Sequence, residues 1–578
     1  MNPTSTAANE IVKAVKQTGV SHVFCVPGES YLATLQAFGE EPSITLVSTR
    51  HEEGAGLMAE AYAKATGKPG ICLVTRGPGL THLSIALHTA HQDSTPLVAI
   101  VGQVPNSVRY RESFQELNIV EFVAPVSKWA AEMTIADRVP ELVSKALYIA
   151  TKGRPGPVVL SLPEDIDRSS CPAASDGKVT HFSAAISSEA LSAALEMLAA
   201  AKRPCIIAGG GVIKSGATNS LIEFAQALSA PVYSAWRRFD VFPNSHPLYL
   251  GPLPTMPADF YDILRDADLI IAIGTRLDEF TSQSYRLPTG QQKLLFIGES
   301  PQSTEAFDSA SHCIVITSDN LIAVKELNSA LANSGASGLS PRLPSQKFID
   351  AKKRYLTATT PSQTPDVTLT LDLEVVMSQI CRKLPAHTRI TSDAGTFSGW
   401  LYRFYKWEEP GTFFGPTAGG MGYAIPAAIG VKFANPSLPV VAFAGDGGFS
   451  MTMSEIETAV RHKLAGIVFI VFDNARYGTI ALHQNNAQMQ GSIGTNLGEI
   501  DFAGVARSLG AEGFRVTRTE ELQEALDKAL SADRPAVIHL VIRDDTLKPW
   551  LSFIKASQTE AASVVLKGVD NELLEKES

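Results

Sequence analysis

VVAFAGDGGFSMTMSEIETAVRHKLAGIVFIVFDNARYG, residues 440–478, begins with an apolar run that ends in a glycine turn, passes through a helix-length segment and closes with a second apolar run. Short runs rich in Val, Ile and Ala that stop at glycines and alternate with helices are the pattern of parallel strands covered on both faces. The first run delivers Asp446 into the turn and the second delivers Asn474 to an equivalent end. Open parallel sheets place ligands at the carboxyl ends of neighbouring strands. A carboxylate oxygen, an amide oxygen and a free backbone carbonyl should therefore converge there, a hard-oxygen set suited to Mg²⁺. Gly445, Gly447 and Gly448 let backbone N–H groups approach a phosphate where a Cβ would obstruct. An isolated GDG is more often a turn whose Asp caps the next helix, so its surroundings must decide.

Working outward, the same alternation occurs in three blocks, at residues 1–170, 184–332 and 367–550, with a polar, acidic tail at 551–578. CPAASDGKVTHFS (171–183) and LANSGASGLSPRLPSQ lose periodicity and gain small and polar residues, as linkers do. The expected fold class is therefore α/β, with three doubly wound parallel-sheet domains. Blocks one and three also share a layout of strand, glycine loop, helix and strand, in ICLVTRGPG (71–79) and VVAFAGDGG (440–448). Many doubly wound folds have that layout, so it is weak evidence of duplication.

Composition limits the function classes. The chain has 578 residues, 45% hydrophobic and 19% charged, with a net charge of −10. That balance offers no electrostatic footprint for nucleic acid or an anionic membrane surface. No stretch is long and apolar enough to span a bilayer, and MNPTSTAANEIVKAV has no secretory pattern. The six cysteines lack metal-ligand spacing and read as buried, reduced thiols. A cytoplasmic location is expected.

A second candidate lies in ITLVSTRHEEGAGLMAEAYAKATGKPG (44–70), where a strand runs into a helix of small residues. Thr49 and Glu52 have S/T-x-x-E spacing, which by itself suggests a capping box. A glutamate among the GAGLMA neighbours would also be desolvated and its pKa raised, as suits an acid that exchanges a proton near neutrality.

Taken together, these stretches resemble the thiamine diphosphate-dependent enzymes, most closely the acetolactate synthases and their pyruvate oxidase and 2-hydroxyacyl-CoA lyase relatives. The GDG followed by a paired asparagine is similar to the cofactor signature, and RHE-x-x-A to the stretch carrying the relay glutamate. The resemblance covers nearly the whole chain. It implies a pyrimidine-binding domain, a central Rossmann-like domain and a diphosphate-binding domain. It assigns Glu52, not Glu53, to the cofactor's aminopyrimidine, and the metal to Asp446, Asn474 and the Arg476 carbonyl. One departure is visible, since the first asparagine of the pair is Asp473.

Further contacts follow from the same resemblance. GPTAGGMGYAIPAAIG (415–430) implies backbone contact near Gly419 and a wedge, Met421, beneath the cofactor, although such a methionine alone reads as core. Gly28, Tyr477 and Gly478 join the expected cofactor contacts. Thr396 and Phe397 stand where many relatives carry Gln and His donors for the diphosphate. RESFQE makes Phe114 and Gln115 candidates for the substrate pocket, along with His91, Gln92 and His483. A lone histidine is more often structural, which applies to His51 and His88 as well. AGGGV (208–212) and AIGTRLDEF (272–280) in the central block could receive a nucleotide, but the intervening stretch lacks the Gly-His pattern of flavin-binding synthases, so FAD is not expected. The acidic tail argues against a CoA thioester.

The expected activity is decarboxylation of a 2-oxo acid with carboligation, in a homodimer or dimer of dimers whose active sites lie at the subunit interface. Lyase or simple decarboxylase chemistry is the enzymatic alternative, and a noncatalytic cofactor-binding protein the alternative of another class.

Overall fold

The computed structural model describes residues 4–174, 185–299, 304–333, 345–364, 366, 368–542 and 549. Most of both linkers, the Val367 start of the third block and the tail at 551–578 lie outside the described residues. Among the described residues, no helix is long and apolar enough to cross a membrane.

Among the described residues the chain forms three sheets of six parallel strands, as the three blocks predict, and one small antiparallel pair, Thr4–Thr6 with Ser170–Pro172. In the first, Thr45–Ser48, His22–Cys25, Gly70–Thr75, Leu97–Gln103, Pro157–Pro163 and Trp129–Glu132 lie side by side in that order. In the third, the order is Phe413–Phe414, Arg389–Ser392, Val440–Gly445, Ile467–Asp473, Ala536–Val541 and Glu512–Val516. Numbered along the chain, both sheets read 2-1-3-4-6-5, so the shared layout extends to the topology. The central sheet reads 3-2-1-4-5-6 instead, the order of a dinucleotide-binding fold.

Each sheet reverses its winding between two strands, and a crevice opens beyond their carboxyl ends. In the first sheet the reversal separates His22–Cys25 from Gly70–Thr75, in the central sheet Pro204–Ala208 from Leu269–Ile273, and in the third Arg389–Ser392 from Val440–Gly445. The strands bordering these crevices are almost wholly buried, because helices cover both faces of each sheet.

The first and third domains share one hydrophobic core. It is continuous through the Glu52–Thr66 and Ala424–Ala434 helices, which approach so closely that a Cβ on Gly430 would lie 2.2 Å from the Met58 carbonyl oxygen. Only glycine permits that crossing. A buried polar network joins all three domains beside it. Lys64 Nζ lies 2.7 Å from both Glu60 Oε1 and Asp93 Oδ2, and Arg238 from the central domain donates to Asp93 Oδ1 at 2.8 Å. From the third domain, the Tyr423 hydroxyl donates to Glu60 at 2.8 Å and the Thr417 N–H to Asp93 at 3.1 Å. Charges this deep persist because each has partners. Their joint effect is to fix both ends of the 417–423 loop.

Candidate active site

The third domain's crevice is built from the turn that ends Val440–Gly445. Asp446 opens the Asp446–Thr452 helix and is buried, its Oδ2 accepting the Arg476 N–H at 3.1 Å. Burial, followed by the neighbouring Asp473 carboxylate, pushes the Asp446 pKa up. Asn474 lies close by, at the end of Ile467–Asp473, and among the described residues its side-chain amide has no hydrogen-bond partner. Arg476 forms a bridge with Asn496 whose bonds run from Tyr477 N–H to the Thr495 carbonyl and from Leu497 N–H to the Ala475 carbonyl. Those bonds leave the Arg476 carbonyl outside the bridge. The Asp446 carboxylate, an uncommitted amide oxygen and a carbonyl form a donor set that fits a hard divalent cation, whose charge would offset the crowding of Asp446 and Asp473.

Asp473 owes its place to contacts that its position in the motif does not reveal. Its Oδ1 accepts the Ala475 N–H at 2.9 Å, and its Oδ2 pairs with His539 Nε2 at 2.8 Å, both side chains being buried. These bonds hold a turn in which Ala475 adopts φ +49°, a left-handed conformation that costs a residue with a Cβ about 1 kcal/mol. His539 arrives on the adjacent strand, 66 positions away.

The glycines of the turn are tightly enclosed. A Cβ on Gly447 would meet the Tyr477 ring at 2.6 Å and Met421 Cε at 3.4 Å, and one on Gly448 would meet Asp393 Oδ2 at 2.1 Å. Asp393 accepts N–H bonds from Ala394, Gly422 and Tyr423, tying the 393 loop to the 417–423 loop. Gly419, at φ +69°, has nothing within 4 Å of where a Cβ would stand, so its backbone faces open space. Phe397 is buried, stacked on Phe472 and lying under Gly445; its ring supports the turn from the core. The Thr396 N–H donates to Thr479 Oγ1 at 3.0 Å, linking that loop to the Gly478–Asn486 helix.

The first domain's crevice holds Glu52. It begins the Glu52–Thr66 helix, but no capping box forms. Thr49 Oγ1 donates to the Cys25 and His51 carbonyls, and the cap is His51, whose Nδ1 accepts the Glu53 N–H. Glu52 is buried, and its Oε2 lies 2.9 Å from His82 Nδ1. The His82 ring stacks on His51 at 4.5 Å. Gly28 stands in the same crevice, so close to Thr75 that a Cβ would approach its side chain to 2.5 Å.

Glu53 faces the other way. Its Oε1 lies 3.2 Å from where a Cβ on Gly422 would stand, and its pKa is pushed up to about 7 by burial, with Asp393 and Glu455 adding repulsion. Glu455, on the third domain, accepts the Arg50 and His51 N–H groups at 3.0 Å each. Contact between the two domains at this turn therefore passes through Arg50, His51 and Glu53, leaving Glu52 on the crevice side.

The expected substrate-pocket residues are not all brought together. Gln115 accepts the Gly77 N–H through its carbonyl at 3.0 Å, on the same sheet edge as Glu52, and Phe114 beside it is 74% exposed. His91 and Gln92 lie near the far end of the Arg76–Asp93 helix, about 14 Å along its axis from His82. There Arg154 and Arg276 donate to their carbonyls, at 2.7 Å and 2.6 Å. They sit at the central domain because that helix runs back toward the amino edge of the sheet. His88, one turn earlier, is half-buried on the same helix. His483 is exposed on the Gly478–Asn486 helix, none of whose residues is buried. The central-domain loops do converge, on a cavity of about 580 Å³ lined by Gly209, Gly274, Arg276 and Glu299 among others.

Comparison with known proteins gives one pattern along the chain. Residues 5–122 match the model of the thiamine pyrophosphate enzyme N-terminal TPP binding domain, residues 191–321 the central domain, and residues 393–540 the C-terminal TPP binding domain. The "Probable acetolactate synthase large subunit" of Methanocaldococcus jannaschii is 31% identical over 557 residues, covering 93% of this chain and 91% of that one. The acetolactate synthase of Mycobacterium leprae is 30% identical over 553 residues, covering 93% and 87%. Among solved structures, the thiamine diphosphate-dependent 4-hydroxybenzoylformate decarboxylase of Rhodococcus jostii RHA1 superposes with a TM-score of 0.81 at 24% identity, covering 94% of this chain and all of that one.

Proposed function

This chain belongs to the thiamine pyrophosphate enzymes and is acetolactate synthase-like along its length, and on that premise we propose that it decarboxylates a 2-oxo acid and joins the remaining acyl unit to a second carbonyl compound. The single observation that carries the reading is the pair of complementary crevices. One holds a buried carboxylate with its own hydrogen-bond partner, and the other holds a turn with hard oxygen donors and open backbone groups.

Thiamine diphosphate, when bound, supplies a carbanion centre and the electron sink that stabilises it. The chain's residues do the rest. Asp446, Asn474 and the Arg476 carbonyl hold Mg²⁺, and the N–H groups around Gly447 and Gly448 take the diphosphate. Gly419 meets the aminopyrimidine through its backbone, and Met421, packed toward Gly447, supports the cofactor from below. Glu52 exchanges a proton with the aminopyrimidine. Phe114 and Gln115 stand at the substrate's entrance. The central domain works without FAD.

Glu52 and Asp446 act together between two copies of the chain. Within one copy, the first and third domains meet through Glu53 and Glu455, whereas Glu52 pairs with His82 instead, and the first domain exposes the apolar side chains of Phe114 and Tyr110. The third domain likewise exposes Met451 and Ile480 beside its turn. Apolar surface around two half-sites is what an isologous interface would cover.

The test is incubation of the purified chain with thiamine diphosphate, Mg²⁺ and mixed 2-oxo acids, aldehydes and acyl-CoAs, with products identified by mass spectrometry. Cofactor-dependent CO₂ release with a new carbon–carbon bond is expected, from a protein whose visible spectrum lacks flavin bands. CO₂ release without ligation would assign a simple decarboxylase, and no turnover of any substrate would leave a cofactor-binding protein. Glu52→Gln is expected to keep the fold and lose about 10²–10⁴-fold in rate.

A further inference from the structure

We propose that His82 is a positioning residue for this chemistry, holding the Glu52 carboxylate in its working orientation while His51 holds His82. The inference rests on the reading of Glu52 as the proton-exchanging acid. His82 has no signal in the sequence beyond its place in GLTHLS (79–84), and it reaches Glu52 because the helices carrying the two residues both start at the carboxyl ends of strands that flank His22–Cys25 in the first sheet.

Three features distinguish it from an incidental surface histidine. First, its partner is buried: the Glu52 side chain is 12% exposed against 52% for His82, so the bond runs from the crevice mouth inward. A surface ion pair between two exposed groups would contribute little and fix nothing. Second, the ring is itself held. It stacks on His51 with the planes 28° apart, and His51 is fixed as the helix cap through its Nδ1. Ring nitrogens of both histidines and a Glu52 oxygen lie within 4.8 Å of one another. Third, the bond uses one carboxylate oxygen and leaves the other available. Oε2 takes His82, while Oε1 lies over Gly79, 3.6 Å from where a Cβ would stand.

The chemistry follows from which oxygen of Glu52 is held and which is left open. His82 donates through Nδ1 to Oε2 of the carboxylate, and Oε1 is the oxygen that would be free to meet the aminopyrimidine. With the histidine removed, the carboxylate can rotate about its last torsion, which is broad and soft. Misplacement of a reacting group by about 1 Å costs on the order of 10²-fold.

A double-mutant cycle tests this. His82→Ala is expected to lower kcat by about 10²-fold with little change in KM or in thiamine diphosphate affinity. His82→Asn, whose amide N–H can replace the Nδ1 donor, recovers most of the loss. In a Glu52→Gln background, His82→Ala adds no further loss, because a positioning residue has nothing left to position. An independent readout needs neither cofactor nor turnover. In the apoprotein, ¹⁵N-histidine NMR should show one ring with a strongly hydrogen-bonded Nδ1 proton that shifts in Glu52→Gln and is absent in His82→Ala. Undiminished kcat in His82→Ala, additive losses in the cycle, or an apoprotein spectrum unaffected by Glu52→Gln would overturn the proposal. An undiminished Glu52→Gln rate would instead remove the underlying role of Glu52.

Discussion

Co-expression of two inactive variants, Glu52→Gln and Asp446→Ala, decides where the active site is assembled. If each site takes Glu52 from one chain and Asp446 from its partner, a mixed dimer holds one site with both defects and one with neither. The intact site combines Glu52 of the Asp446→Ala chain with Asp446 of the Glu52→Gln chain. Under random pairing half of the dimers are mixed, so total activity should return to about a quarter of the wild-type value, whether the assembly is a dimer or a dimer of dimers. Either parent should lie about 10²-fold or more below wild type, so recovery would stand at least about 25-fold above background. If Glu52 and Asp446 worked within one chain, no pairing would restore a site. The geometry favours the first outcome, because Glu455 and Glu53 occupy the contact between the first and third domains of one chain. The assay is cofactor-dependent CO₂ release from the best 2-oxo acid, measured on equal total protein. A mixture no more active than its parents refutes the assembly.

Two further variants probe the scaffold. Gly448→Ala places a methyl group 2.1 Å from Asp393 Oδ2, a carboxylate pinned by three N–H bonds. It should lower stability by about 1–3 kcal/mol and weaken diphosphate binding, measured by urea unfolding and cofactor titration; unchanged affinity would show that the turn has room to spare. Glu455→Ala removes the acceptor for the Arg50 and His51 N–H groups. It should cost about 2 kcal/mol and slow turnover by loosening the start of the Glu52 helix; unfolding at the wild-type urea midpoint would contradict this role.

The turn after Val440–Gly445 was legible in advance because its marks are local. A strand that must end, a glycine turn and an oxygen-bearing side chain at the end of the next strand each show within a few residues, as Gly445 to Gly448 and Asn474 do. Asp473 looked like a small departure from the motif, and its pairing with His539 could not be seen. Which strand lies beside Ile467–Asp473 depends on sheet order, and Ala536–Val541 reaches that place out of chain sequence.

The first domain's crevice divided differently. The spacing of Thr49 and Glu52 supported a cap that the fold does not make, because His51 takes the position and Thr49 turns to backbone carbonyls. His91 stood close in sequence to the first-domain loop, yet a helix of 18 residues carries it away from that edge. His82, in the second turn of the same helix, lies beside Glu52.

By itself, the sequence determined the α/β class and the three parallel sheets, since burial pattern and turn chemistry are properties of neighbouring residues. Only the tertiary structure shows what each acid touches, Glu53 lying against the third domain and Glu52 pairing with His82. Glu52 and Glu53 are adjacent and chemically alike, and what separates them is the direction of one helix turn relative to elements hundreds of residues away.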